Sequence, residues 1–173
     1  EGETLDWVVW MRRLRAEIAM DRVIREEKLS AAQEECVADY LAAFYRDLPA
    51  APVDAATYRL GIEHHVRDNF TALAEGLPEH SPLVSKLHML QLRTLALDAG
   101  EFDRRVKAGR VVEGHGDLRP EHIYLEDPPA IIDCIEFSRD FRTIDVGDEL
   151  AFLDMESRRL GNFSLGPRLL KAW

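Results

Sequence analysis

The sequence has few cysteines and no long apolar run. Its 173 residues include only Cys36, in a predicted helix, and Cys134, in a predicted strand, and they form no C-x-x-C pair. This pattern argues against a disulfide framework and favours a reduced, cytoplasmic protein in which we expect both thiols to be buried as small apolar groups. No apolar stretch reaches the roughly 20 residues of a membrane span, and no secretory leader is recognisable, so we expect no membrane association.

Positive charge is also scarce. Lys and Arg together number 22 against 32 Asp and Glu, which gives a net charge of −10. Such acidity argues against sequence-independent binding of nucleic acid and is compatible with cationic ligands. Hydrophobic residues make up 46% and charged residues 31%, the composition of a globular protein. The length predicts one domain with its own core.

Hydrophobic periodicity predicts an α+β domain that is mostly α. An apolar and aromatic run favours a strand at residues 5–11. Ser30 with Gln33 is typical of a capping box, Asp54 is typical of an N-cap, and Gly109 is typical of a helix C-terminus. The predicted helices cover residues 16–27, the segment from Ser30 toward Pro49, and residues 55–75, 82–108 and 145–160.

The leucines of residues 82–108 recur at helical spacing. They predict one long helix that lies in the core. The members of this apolar set are Leu83, Leu87, Leu90, Leu97, Phe102 and Val106.

Most of the chemistry is concentrated between Val111 and Asp133, in the sequence VVEGHGDLRPEHIYLEDPPAIID. A polar loop at residues 115–122 lies between predicted strands, and such loops commonly present catalytic side chains. Asp117 in this loop and Asp133 after the last apolar run can converge on one point, which suits a base beside a metal ligand. The three predicted strands are Val111-Val112, Ile123-Tyr124-Leu125 and Ala130-Ile131-Ile132, and together they suggest a β-hairpin-like insert.

Three segments resemble the aminoglycoside phosphotransferase family. They are HGDLRPEH from His115, IIDCIEF from Ile131 and DVGDELAF from Asp145. Protein kinases share the same skeleton, in which the loop reads HRDLKPEN and a later strand ends in an acid. The sequence of these segments is similar to that of uncharacterised bacterial members, whose chains often continue into a P-loop ATP-binding domain. No P-loop motif occurs in the present sequence.

The resemblance implies a protein-kinase-like C-terminal lobe with a small β-hairpin catalytic insert and a remnant hinge strand. Residues 1–14 would be the hinge-strand remnant of an N-terminal lobe. Residues 15–173 would be the helical C-terminal lobe, incomplete at both ends. The implied reaction is ATP-dependent transfer of the γ-phosphate, with Mg²⁺, to a hydroxyl of a small molecule, an aminoglycoside-like or other cationic substrate.

Roles for individual residues follow from the same resemblance. Asp117 would be the catalytic carboxylate, and Arg119 would contact the transferred phosphate. Asp133 would be a metal ligand, because its hard oxygen suits Mg²⁺. The remaining assignments are His115, Asp145 and Asp148 as residues that structure the loop, and the backbone of Met11, Arg12 and Arg13 as the hinge that meets adenine.

Two departures from the family pattern leave alternatives open. His122 occupies the eighth loop position, where relatives carry an asparagine that binds a second metal ion, and imidazole is a softer ligand than Mg²⁺ prefers. His122 would then bind a different metal, hydrogen-bond a phosphate, or mark a site with one metal fewer. Neither a glycine-rich loop nor a strand lysine paired with a helix glutamate precedes residue 5.

Two other functions therefore compete with the phosphotransferase. One is a catalytically impaired, pseudokinase-like binding module. The other is a metal-dependent hydrolase in which His115, Asp117, His122 and Asp133 are the ligands. The phosphotransferase hypothesis predicts that the carboxylates of Asp117 and Asp133 face one cleft below the strand at residues 5–11.

Overall fold

The computed structural model describes residue 8 and residues 12–173. Within this part the fold is α+β and mostly α, as the periodicity predicted. The predicted strand at residues 5–11, apart from the exposed Val8, and the hinge backbone of Met11 lie outside the described residues.

Eight α-helices and three 3-10 turns make up most of the described chain. The capping box at Ser30 and Gln33 is present, and the Asp54 side chain accepts from the Thr57 amide, so both predicted helix starts are confirmed. The helices are α1 Met20–Arg25, α2 Ala31–Asp47, α3 Ala55–Gly76, α4 Ser81–Leu97, α5 Ala99–Lys107, α6 Arg139–Arg142, α7 Val146–Arg159 and α8 Leu165–Ala172, with 3-10 turns at Ala16–Ile18, Pro78–His80 and Pro120–His122.

The predicted helix at 82–108 is two helices, α4 and α5. Asp98 separates them with φ −104° and ψ 21°, outside the α-helical region. Aspartate is a poor helix former because its side chain competes for backbone hydrogen bonds, and glycine, another poor helix former, follows two residues later at Gly100. The break lets α4 and α5 each pack against α3.

The predicted core position of the α4 leucines is wrong. Leu83, Leu87, Leu90 and Leu97 are exposed, and only Val84 of this helix is buried. Helices α3, α4 and α5 form a layer of their own beside the main core, so the periodicity that suggested burial describes a helix with one covered face. Both cysteines are exposed as well, which corrects the expectation that they are buried.

The strands form two separate two-stranded sheets. β1 (Val111–Glu113) pairs antiparallel with β4 (Thr143–Asp145), and β2 (Ile123–Tyr124) pairs antiparallel with β3 (Ala130–Ile131). The β2–β3 hairpin matches two of the predicted strands. β4 was not predicted, because its three residues run directly into α7 and carry no extended apolar pattern.

The main core lies between α2, α7, α8 and the segment that follows β1. Val37 and Leu41 of α2 are buried there, whereas Tyr40 and Phe44 of the same helix are exposed. Leu118 is 1% exposed and lies in this core, although its neighbours Asp117 and Arg119 are polar. One apolar side chain thus anchors the polar loop to the core.

We expect Leu118→Ala to lower the free energy of unfolding by about 2–5 kcal/mol, because truncation of a buried leucine loses transfer free energy and leaves a cavity. Urea unfolding of the intact protein measures this change. The matched control is Leu170→Ala in α8, where the side chain is 81% exposed and the expected change is within about 0.5 kcal/mol. Equal changes for the two variants would contradict the anchoring role of Leu118.

None of the helices in the described part of the chain is long and apolar enough to cross a membrane.

Candidate functional site

The loop that follows β1 begins with two glycines in tight positions. The Gly114 amide donates to the Arg142 carbonyl at 2.8 Å, which continues the pairing of β1 with β4. A Cβ atom at Gly114 would collide with the Glu149 carboxylate, and Gly116 has φ +85° with the Phe141 carbonyl only 2.9 Å from a Cβ built there. Both positions therefore require glycine.

Glu149 of α7 holds this loop. Its side chain is buried, and it accepts from the Tyr45 hydroxyl at 2.6 Å, the His115 amide at 3.1 Å and the Gly116 amide at 2.5 Å. Burial, and then the adjacent Glu149 carboxylate, raise the pKa of the Tyr45 phenol, so the hydroxyl stays a donor. The sequence motif assigned the role of structuring the loop to Asp145 and Asp148 at the start of this helix and assigned no role to Glu149.

The sequence nevertheless contains a signal for Glu149. Val146, Leu150 and Leu153 are buried on α7, and Glu149 lies three residues after the first of them and four before the last. Residues at these spacings share one helix face. A carboxylate on the apolar face of a helix needs donors, and the loop supplies them.

His115 joins the loop to the segment that leads into Asp133. The Asp117 amide donates to its Nδ1 at 3.3 Å, so Nε2 carries the proton and donates to the Ile132 carbonyl at 2.8 Å. A backbone hydrogen bond links the same two segments, because the Ile135 amide donates to the His115 carbonyl at 3.0 Å. Both ring nitrogens of His115 are thereby occupied.

His122 forms a second link between the same two segments. Its Nδ1 lies 2.8 Å from the Asp117 carbonyl, and its carbonyl accepts from the Ile132 amide at 3.0 Å. Its Nε2 lies 3.5 Å from Asp133 Oδ2, and its ring is stacked on that of His115 with centroids 5.6 Å apart. The two histidines together tie the loop that carries Asp117 to the segment that leads into Asp133.

Asp117 is partly exposed and is paired with Arg119. The guanidinium Nε donates to Asp117 Oδ1 at 2.8 Å, and this hydrogen bond raises the pKa of Arg119. The guanidinium also lies 3.3 Å from Glu121 and 5.8 Å from the Phe152 ring centroid. Among the hydrogen bonds of the described residues, only that of Arg119 engages the Asp117 carboxylate, and Oδ2 is left for another donor.

Asp133 has an unusual backbone and an open side chain. Its φ is +66°, in the left-handed region, which aspartate adopts more readily than most residues other than glycine. Its side chain is 76% exposed and lies beside His122.

Asp145 and Asp148 lie at the start of α7. Asp145 caps the helix by accepting from the Gly147 amide at 2.7 Å, and Arg105 of α5 binds both of its oxygens at 2.5 and 2.6 Å. Its carboxylate contacts no loop amide among the described residues; that contact belongs to Glu149. Asp148 has a raised pKa, first because the surrounding atoms desolvate it and then because of the Asp145 and Glu149 charges.

Arg12 and Arg13, the described part of the predicted hinge, form no regular structure. Arg12 is exposed, and its guanidinium lies 2.5 Å from Glu126 in the turn between β2 and β3. This contact brings the N-terminal segment to the hairpin that follows the loop.

The donor set suits a metal ion only in part. Among the described residues no group of three or more His, Cys, Asp and Glu side chains is arranged to hold a metal. His115 has no free ring nitrogen, which argues against the four-ligand set of the hydrolase hypothesis. Asp133 is an open oxygen ligand of the kind that Mg²⁺ takes, whereas the His122 nitrogen beside it is not.

Comparison with known proteins adds a short stretch of similarity. No protein-family profile matches the chain, and no solved structure matches it significantly. It is 41% identical over 73 residues to the uncharacterized protein Rv2004c of Mycobacterium tuberculosis and to the uncharacterized protein Mb2027c of Mycobacterium bovis. Each match covers 42% of this chain and 15% of the relative, so the chain spans a small part of these proteins, whose names state no activity.

Proposed function

We propose that the chain is the C-terminal lobe of a kinase-like phosphotransferase that resembles the aminoglycoside phosphotransferase family, and that it transfers the γ-phosphate of ATP to a hydroxyl of a small molecule. The observation that carries the proposal is the double link through His115 and His122. It fixes the loop bearing Asp117 against the segment bearing Asp133. Phosphoryl transfer to an alcohol requires a base that orients the acceptor hydroxyl and, near it, a carboxylate that binds the metal ion at the phosphates.

Asp117 is the residue proposed to orient the acceptor. Arg119 engages Oδ1, so Oδ2 can accept the hydrogen bond of an incoming hydroxyl and take its proton as the oxygen attacks phosphorus. A bond forms between the acceptor oxygen and the γ-phosphorus. The bond between the γ-phosphorus and the oxygen that bridges it to the β-phosphorus breaks, and ADP leaves. Arg119, whose charge lies beside Asp117, would stabilise the negative charge on the migrating phosphoryl group.

A bound divalent cation would supply charge neutralisation on the phosphates, and Asp133 is the oxygen ligand placed to hold it. Arg12 and Arg13 would belong to the segment that meets adenine. The net charge of −10 favours a cationic acceptor over an anionic one. A reduced cytoplasmic location is part of the proposal, since the chain carries only two cysteines.

A pseudokinase-like module is the second candidate. Its support is the pairing of Arg119 with Asp117, which occupies one oxygen of the proposed base, together with His122 at the position of an asparagine in relatives. In this case the site would bind nucleotide without passing the phosphate to an acceptor.

A turnover assay together with a measurement of nucleotide binding tests both candidates. The intact protein is incubated with ATP and a panel of hydroxyl-bearing small molecules that includes aminoglycosides, choline, sugars and amino alcohols, and ADP release is followed. We expect ADP release that depends on one class of acceptor. Saturable nucleotide binding with no acceptor-dependent release across the panel would favour the pseudokinase and contradict the phosphotransferase.

A further inference from the structure

The ring of His122 is oriented so that one nitrogen is free to bind a ligand. Nδ1 lies 2.8 Å from the Asp117 carbonyl, an acceptor, so Nδ1 carries the proton and Nε2 of the neutral ring carries a lone pair. A backbone carbonyl that accepts from one ring nitrogen is the usual device by which proteins orient a metal-binding histidine. The stacked ring of His115 further restricts His122.

The distance from His122 Nε2 to Asp133 Oδ2 fits a cation held between them. At 3.5 Å it is longer than a normal hydrogen bond. Two ligands on one cation, with bonds of about 2.0–2.2 Å, lie roughly 3.0–3.5 Å apart according to the angle between them. The separation therefore fits two ligands of one ion, and it also lies in the range of a direct His–Asp ion pair.

Exposure leaves room for the remaining ligands. The side chain of His122 is 13% exposed and forms an inner wall, whereas that of Asp133 is 76% exposed. The open side of the pair can be completed by water and by phosphate oxygens, which are the usual further ligands of a nucleotide-bound cation.

We propose that His122 and Asp133 form a chelating pair that prefers a first-row transition-metal dication such as Mn²⁺ to Mg²⁺. Mg²⁺ takes oxygen ligands almost exclusively, whereas imidazole nitrogen favours first-row transition metals, among which Mn²⁺ binds most weakly and is therefore the most stringent test. The proposal rests on the proposed function for the role of the cation at the phosphates. The binding preference itself is a property of the two side chains.

The test titrates the intact protein with Mn²⁺ alone and follows free Mn²⁺ by electron paramagnetic resonance, then adds Mg²⁺ as a competitor. Mn²⁺ is chosen over Zn²⁺ because the exposed thiols, among them Cys134 next to Asp133, would bind zinc. We expect Mn²⁺ binding that persists in an excess of Mg²⁺. Equal apparent affinities for the two ions would overturn the proposal.

Two variants and one control locate the site. His122→Asn should weaken Mn²⁺ binding by about tenfold or more and reduce the preference over Mg²⁺, because it replaces nitrogen by an amide oxygen. Asp133→Asn, at an exposed position, should weaken binding of both ions. The matched control is His80→Asn, whose ring is 60% exposed in the Pro78–His80 turn, and it should change neither affinity.

Circular dichroism confirms that each variant is folded before titration. If His122→Asn misfolds, broadening of the His122 ring resonances by substoichiometric Mn²⁺ in the unaltered protein tests the same contact. A folded His122→Asn protein with unchanged Mn²⁺ affinity, or unbroadened His122 resonances, contradicts the proposal. Mn²⁺ binding through His122 in a protein that never releases ADP would support this site and contradict the phosphotransferase, so the two failures are distinguishable.

Discussion

Asp117→Asn should reduce acceptor-dependent ADP release by about 10²- to 10⁴-fold, the usual contribution of a positioned general base. The amide cannot take the acceptor proton, and it is nearly the same size as the carboxylate. The Asp117 backbone, which carries the contacts to His115 and His122, is unchanged by the substitution. We therefore expect the loss in kcat, measured in steady state with the best acceptor of the panel.

The control for this variant is Asp39→Asn, an exposed aspartate on α2. It should leave kcat and the KM for ATP unchanged. Retention of most of the activity by Asp117→Asn would remove Asp117 from the reaction. A large rise in the KM for ATP with kcat preserved would assign it to substrate binding instead.

Glu149→Ala should lower the free energy of unfolding by about 3–5 kcal/mol. It leaves the Tyr45 hydroxyl and the His115 and Gly116 amides without their acceptor, and each buried unsatisfied donor costs about 1–3 kcal/mol. A domain with an ordinary stability of about 5–15 kcal/mol would lose a large part of it. Urea unfolding of the intact protein measures the change.

The control for Glu149→Ala is Glu35→Ala on α2, where the side chain is 61% exposed and its partner is 3.3 Å away. Its expected cost is within about 0.5 kcal/mol. We also expect the folded fraction of Glu149→Ala to have lower activity, because a catalytic loop displaced by about 1 Å can lose 10²-fold in rate. Full stability in Glu149→Ala would contradict the role of Glu149 as the residue that holds the loop.

Features that depend on neighbouring residues could be predicted from the sequence. The caps at Ser30 and Asp54 each depend on an amide three residues away, and both are present. The β2–β3 hairpin joins segments only a few residues apart. In each case the pattern and the contact lie within one short window of the chain.

Features that depend on distant residues could not be predicted in this way. The partner of β1 is β4, about 30 residues later, and a three-residue strand carries too little pattern to reveal that pairing. The apolar period runs through both α4 and α5, so it did not reveal the break at Asp98 between them. The α4 leucines have the period of a core helix, but periodicity does not say whether a second layer covers the face.

The candidate site shows the same division. The motif assigned Asp117, Arg119 and Asp133 roles in phosphoryl transfer. That they perform these roles stays a prediction. Among the residues that hold these three, His115 was part of the motif, whereas Glu149 was recognised only in the structure. Its carboxylate contacts amides 33 and 34 residues earlier in the chain, and no short motif records such a contact.

The most direct test of phosphoryl transfer at this loop is phosphorus NMR of the intact protein with ATP and the acceptor panel. The γ-phosphate resonance should be replaced by that of a phosphomonoester on one acceptor class, and Asp117→Asn should leave the γ-phosphate in place over the same time. Inorganic phosphate as the sole product, or an equal phosphomonoester yield from Asp117→Asn, would contradict the account.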